Sequence, residues 1–189
     1  MINFLLKTNK NSKGFTLVET LVAISIFTIS ILGMISILSN GITDTNYAKD
    51  KIIATYLAQE GVEFVRNVRD DSVLYNTTNS GWSDFLNRTT NCVPSGTDQI
   101  LGCRMNDDLS TTDNFAACAD FSSCELYINT GTNKYSSDPQ SGDDSGFSRI
   151  ITLNTGVSPN KVTITSNVSW MQKSGRQSVS FTEDLFNLY

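Results

Sequence analysis

The sequence predicts an α+β protein, in which a long N-terminal helix spans a membrane with its first half and packs its second half on a C-terminal antiparallel sheet. Three patterns predict this. Residues 15–38 are almost wholly apolar, an amphipathic stripe follows from Ile53 to Val68, and the C-terminal segment alternates apolar with polar positions. The boundaries that follow are a leader at 1–14, a spanning segment at 15–38, an amphipathic continuation at 39–70, a loop-rich region at 71–148 and the sheet at 149–189.

From Phe15 to Leu38 the chain reads FTLVETLVAISIFTISILGMISIL, with 16 apolar residues, six Ser/Thr, one Gly and a single charge, Glu19. A helix of that length rises about 36 Å, enough to cross a hydrocarbon core about 30 Å thick. No second apolar helix of similar strength exists in the sequence to bury it as a core helix. Lys7, Lys10 and Lys13 precede the run, no acidic residue does, and Asp44 is the first charge beyond it. By the positive-inside rule the N-terminus is cytoplasmic and everything after about residue 40 lies outside.

An ordinary secretory signal is cut after its apolar stretch at small residues, and SNGIT after Leu38 is a poor match. The notable junction lies on the other side, where Lys13-Gly14 abuts Phe15. A cut there releases the leader and leaves the hydrophobic helix in the product. The string KGFTLVETLVAISIF closely resembles the N-terminal signature of type IV prepilins and type II secretion pseudopilins. The resemblance implies that a prepilin peptidase cleaves between Gly14 and Phe15 and methylates the new Phe15 amine. It also implies that Glu19 matches the family's glutamate five residues into the mature chain. AQEGVEFVRNVRD and the C-terminal KVTITSNVSWMQKSGRQSVSFTEDLFNLY add a likeness to PilV-like minor pilins and the small pseudopilins. Where many major pilins carry a helix-breaking Pro, this apolar segment has only Gly33.

Physics gives Glu19 a role of its own. A carboxylate at bilayer depth costs about 2.5 to 3.5 kcal/mol on insertion scales, so it should be paired, functional or near the interface. Two readings stand. An acid in the first turns of a helix is stabilised by the helix dipole by about 0.3 to 1 kcal/mol within one chain. Alternatively, Glu19 of one subunit pairs with the Phe15 amine of a neighbour, neutralising both charges in an apolar filament core and fixing axial register.

Past the membrane, Ile53, Leu57, Gly61, Phe64 and Val68 recur at spacings of three to four, with Tyr56 and Val65 beside them and Lys49, Asp50, Glu60, Glu63 and Arg66 around the rest of the surface. One helix from Phe15 to about Arg69 extends about 80 Å, too long for a single globular domain. Gly41, next to Asn40, marks a possible bend. Residues 76–146 are polar and turn-rich, and 15 of the 20 residues from Asn129 to Ser148 are Ser, Thr, Asn, Asp or Gly. Long surface loops are expected there.

Cys92, Cys103, Cys118 and Cys124 fall in the exported part, where disulfides persist. Four cysteines allow three pairings, of which sequential closure makes the shortest loops. A four-thiolate metal site is the rival, but the spacings of 11, 15 and 6 form no C-x-x-C knuckles. Ile151 and Leu153 alternate in RIITLNT, Val162, Ile164, Val168 and Trp170 share one parity in KVTITSNVSW, and Val179, Phe181 and Leu185 share another in SVSFTEDL, with turn residues at Gly156 to Asn160 and Lys173-Ser174-Gly175 between the runs. They read as an antiparallel meander whose apolar face the Ile53–Val68 stripe covers.

The absence of His removes the commonest general base and the commonest metal ligand. There is no phosphate-binding glycine loop and no nucleophile elbow, so no catalysis, no cofactor and no metal are expected. Asp138, Asp143 and Asp144 offer oxygen atoms but lack the alternating spacing of a calcium loop, and read as solvated. Arg66, Arg69 and Arg88 could meet phosphate. The chain, however, has 14 basic against 19 acidic residues, net −5, and loss of the leader lysines leaves 11 against 19, net −8. Direct nucleic-acid binding is therefore not expected.

The expectation is a minor pilin or pseudopilin, a non-enzymatic subunit of a type IV pilus-like filament. It waits in the cytoplasmic membrane as a single-pass protein among lipids and moves into a surface or periplasmic filament. Its expected partners are other pilin or pseudopilin subunits, the prepilin peptidase and a pilus or secretion assembly platform. The alternative is a single-pass, membrane-anchored extracellular binding or adhesion protein.

Overall fold

The computed structural model describes residues 14–75, 80–95, 101–106, 114–156, 158 and 160–187. Lys7, Lys10 and Lys13 of the leader lie outside them. The chain divides into two compact units, Met1–Asn46 and Tyr47–Tyr189.

The first unit holds the beginning of α1 (Leu17–Tyr75), a helix long and apolar enough to cross a membrane. Every large apolar side chain from Leu17 to Leu38 is exposed, from 39% at Ile31 to 79% at Leu17, so this surface is matched to an apolar solvent rather than to a protein core. Four of the five hydroxyls within it are turned inward on the helix itself. Thr20, Ser25, Thr28 and Ser30 donate to the carbonyls of Leu17, Leu21, Ser25 and Ile26 at 2.7–2.9 Å. In lipid a hydroxyl without a partner is costly, and these carry their own acceptors. The helix is continuous through Gly33 and through Gly41, where the sequence suggested a bend.

The second unit is α+β: the later part of α1 packs on an antiparallel sheet. The helix runs to Tyr75, past the boundary read from the stripe; in this extension Ser72 is buried, and α2 (Gly81–Arg88) begins against the Ser72 and Val73 backbone. The strands are β1 (Gly102–Met105), β2 (Phe115–Cys118), β3 (Glu125–Asn129), β4 (Lys134–Ser136), β5 (Asp143–Asn154), β6 (Lys161–Gln172) and β7 (Gly175–Phe186). β5 is the hub. It pairs with β6 over Phe147–Asn154, and on its other edge meets β3 near its start and β1 at Ile151. β2 extends β1, β4 extends β3, and β7 extends β6 in an unbroken register from Lys161↔Phe186 to Gln172↔Gly175.

The three C-terminal runs thus become β5, β6 and β7, although β5 starts at Asp143. The segment 71–148, read as loop-rich, contains α2, two 3₁₀ turns (Thr90–Cys92 and Ser122–Cys124) and β1 to β4. These strands have three to five residues each, too few alternations to show a period of two. They form on the edge that β5 supplies, β1 and β3 pairing with it directly and β2 and β4 pairing with those.

The core lies between helix and sheet. Val62, Phe64, Val65 and Val68 of α1 meet Ile151, Leu153, Val162, Ile164 and Leu185, with Met105, Phe115, Trp82 and Phe85 at one end. Ala54, Leu57 and Ala58 meet Leu126, Phe147, Val168 and Trp170 at the other. Between the clusters helix and sheet come closest: a Cβ on Gly61 would stand 2.5 Å from Ser166 Oγ and 3.2 Å from Arg149 Cδ. Arg149 points from β5 into the same layer, its side chain only 2% exposed, and donates to the Leu57 carbonyl at 3.1 Å and to Glu60 Oε2 at 2.7 Å. A buried guanidinium is tolerable only with such partners.

Two tests follow. Overpacking at this contact destabilises by about 1 to 3 kcal/mol. Gly61→Leu should therefore lower the denaturation midpoint of the full chain in detergent, and Gly61→Ala should be less harmful in a Ser166→Ala background than alone; additive effects would place the contact elsewhere. At the surface, the Thr163 hydroxyl donates to Asp184 Oδ1 at 2.6 Å and Lys161 lies 2.9 Å from its other oxygen; the hydrogen bond first, then the ammonium, hold the Asp184 carboxyl below its ordinary value. A carboxyl depressed by folding stabilises above its unfolded pKa, about 3.9, and loses that contribution as pH falls through the lower folded value. Asp184→Asn should flatten that part of the acid limb of the stability curve, as read by circular dichroism.

Candidate functional site

The residues that the sequence marks for processing and assembly sit together at the start of α1. Gly14 and Phe15 precede the helix without regular secondary structure, and Phe15 is 85% exposed. A Cβ on Gly14 would meet no atom within 4 Å, so the described residues leave the Gly14–Phe15 peptide bond sterically open.

Glu19 has a local partner that the sequence reading passed over. The Thr16 amide and the Thr16 hydroxyl both donate to Glu19 Oε2 at 3.1 Å, while the Glu19 amide donates to Thr16 Oγ1 at 3.2 Å. This is a capping box: a threonine at the helix start and a glutamate three residues on satisfy each other's backbone N–H groups. The pattern T-L-V-E ahead of an apolar run was the signal that could have revealed it. Both bonds to the carboxylate fall on Oε2, and Oε1 accepts none among the described residues. The cap therefore aligns the carboxylate with the chain start and leaves one oxygen for a further donor.

In the second unit Cys92 lies beside Cys103, with Cα atoms 4.5 Å apart, and Cys118 beside Cys124, with Cα atoms 5.8 Å apart. Both separations suit disulfides. The first pair joins the 3₁₀ turn after α2 to β1 inside the main core. The second closes the loop between β2 and β3 and packs with Ile150 and Phe121 on the opposite face of the sheet. Among the described residues, no three acidic, histidine or cysteine side chains gather at a metal-binding distance. Asp138 and Asp144 each accept a backbone N–H two residues on, from Gln140 and Gly146 at 2.9 and 2.8 Å.

The arginines that might have met phosphate are engaged within the fold. Arg66 bridges Glu63 and Glu183; Arg69 pairs with Asp70 and donates to the Phe186 carbonyl; Arg88 holds Asp71, Ser72 and Asn114. They fasten the helix to the end of β7 and to α2.

If the two cysteine pairs are oxidised, loop closures of 11 and 6 residues should contribute about 2 to 3 kcal/mol each. Peptide mapping without reductant should recover Cys92 with Cys103 and Cys118 with Cys124, and replacing the first pair by alanine should lower the unfolding midpoint. Four free thiols, or a crossed pairing, would contradict this arrangement.

Residues 9–35 match the family described as the prokaryotic N-terminal methylation motif. No curated protein and no solved structure matches the chain. The motif spans the Gly14–Phe15 junction and the beginning of the exposed apolar helix.

Proposed function

We infer that the chain, with its N-terminal methylation motif, a type IV pilin-like signal, is a pilin-like protein, and the motif implies processing by a prepilin peptidase and assembly with other pilin subunits. We propose, more specifically, a minor pilin or pseudopilin of the PilV-like kind, a structural subunit rather than an enzyme. It is held as a single-pass protein of the cytoplasmic membrane, N-terminus inside, until an assembly platform moves it into a surface or periplasmic filament. The observation that carries this reading is the motif at residues 9–35, which takes in the Gly14–Phe15 junction and the start of an exposed apolar helix. Cleavage after Gly14 and N-methylation of Phe15 give the mature end. The domain order is that read from the sequence: a leader, an assembly helix and an exported head.

In this reading Glu19 accepts the Phe15 amine of a neighbouring subunit through the oxygen that the Thr16 cap leaves open. Each charge alone in an apolar filament core is costly; together they neutralise. A diffuse preference of an acid for a helix start would set no axial register, whereas a pair between one carboxylate and one amine does.

Mass spectrometry of the membrane or filament form should find a chain beginning at methylated Phe15; one beginning at Met1 or cut near residue 40 contradicts the assignment. Glu19→Gln separates the two roles of the glutamate, because glutamine also serves at the third position of a capping box. If Glu19 is only a cap, Glu19→Gln changes little. If it pairs with a neighbour's amine, the variant leaves that amine unpaired, a loss of about 3 to 5 kcal/mol for a buried pair. Immunoblots of sheared filaments and membranes should then show cleaved, membrane-retained protein and a strongly reduced filament fraction. Equal incorporation of variant and wild type would remove the register-setting role.

A further inference from the structure

The sheet face opposite α1 carries a cleft of about 340 Å³ with no residue of the helix in its lining. Its floor is set by register. Glu125 of β3 stands opposite Ser148 of β5, and Ser148 opposite Ser169 of β6, so the three side chains form one row across three strands. Met171 and Arg176, opposite each other on β6 and β7, form the next row. On β5 that row is open, because the β3–β5 register slips between Leu126 and Tyr127 and Gly146 sits in the bulge at φ +75°, where a Cβ would meet nothing within 4 Å. Bulges of this kind re-aim neighbouring side chains and recur beside functional sites. Here Asp144, just before the bulge, lines the cleft, its Oδ1 bonded to the Gly146 amide.

The roof is the loop closed by Cys118 and Cys124, which presents Phe121 and Ser122. Phe121 packs on the Ile150 cluster, and the Arg176 guanidinium lies over its ring at 3.9 Å from the centroid. Stacking of this kind fixes the guanidinium plane and leaves its N–H edge for a further partner. Among the described residues, neither the Arg176 nor the Glu125 side chain has a hydrogen bond or an ion pair. Opposite charges thus line one cleft without pairing with each other.

We propose that this cleft binds a neutral or amine-bearing sugar residue of a surface glycan. Glu125 and Asp144 accept hydroxyl or ammonium donors, the planar Arg176 fork donates to hydroxyl or ring oxygens, and the serine hydroxyls do either. Two carboxylates against one guanidinium make the site unfavourable for an acidic sugar. Phe121, Trp170 and Met171 give the lining apolar surface beside these polar groups, as small-ligand sites have, and the volume falls within the range of such sites. The site does not depend on the filament reading, since the isolated subunit contains all of it.

The test uses the full mature chain in a detergent without a sugar headgroup, titrated calorimetrically with trimers of N-acetylglucosamine, glucosamine and galacturonic acid. Saturable binding of one of the first two at a Kd of about 1 mM or tighter is expected, with the galacturonic acid trimer at least tenfold weaker. Glu125→Gln and Arg176→Ala should each weaken binding about tenfold while leaving the circular dichroism spectrum and the unfolding midpoint unchanged, and Arg176→Lys should recover only part of the loss. No saturable binding of either expected probe at about 10 mM would overturn the proposal, as would equal binding of the acidic trimer or wild-type affinity in both variants.

Discussion

The head is organised by one close contact, that of Gly61 with β5 and β6. With no side chain there, the helix backbone settles on Ser166 and on the aliphatic part of Arg149, and the two hydrophobic clusters form on either side of that point. Arg149 turns the contact into a specific one. Its guanidinium is out of water and takes the Leu57 carbonyl and the Glu60 carboxylate from the helix above it, so a rotated or shifted helix would leave a charge buried without those partners. Arg66 and Arg69 extend the attachment to β7 at the side chain of Glu183 and the carbonyl of Phe186.

The first unit obeys the opposite rule. Among the described residues its large apolar side chains from Leu17 to Leu38 are exposed, and six of its hydroxyls donate to its own carbonyls. Such a helix makes few demands on its neighbours beyond an apolar medium, which both a bilayer and a bundle of like helices provide. A strong polar feature lies at the start of α1, where the Thr16–Glu19 cap satisfies backbone donors that lipid could not.

The middle of the chain shows how short strands become stable. β1 to β4 hold too few residues to bury a face of their own, but each is joined to a template: β1 and β3 to β5, β2 and β4 to those. The cysteine pairs lie where chain returns to the sheet, one inside the core and one on the far face. The far-face loop also roofs the cleft, so the part of the head poorest in sequence signals is the part that shapes this recess.

Signals confined to neighbours along the chain were enough for the apolar run at residues 15–38, the Gly14–Phe15 junction, the helical stripe from Ile53 to Val68 and the parity of β5 to β7. The capping box belongs with them, since T-L-V-E is local and was simply overlooked. Other features depend on which distant residues meet. Three pairings of the cysteines were open on spacing alone, and the fold brings together the sequential partners. Nothing in the residues around Arg149 distinguishes a buried guanidinium from a surface one; the helix 89 residues earlier decides that through Glu60. Arg66, Arg69 and Arg88, weighed from the sequence for contact with phosphate, are structural clamps for the same reason. Periodicity records which side of an element is apolar, but the partner of a charge and the register of a three-residue strand are set only when separate elements close on one another.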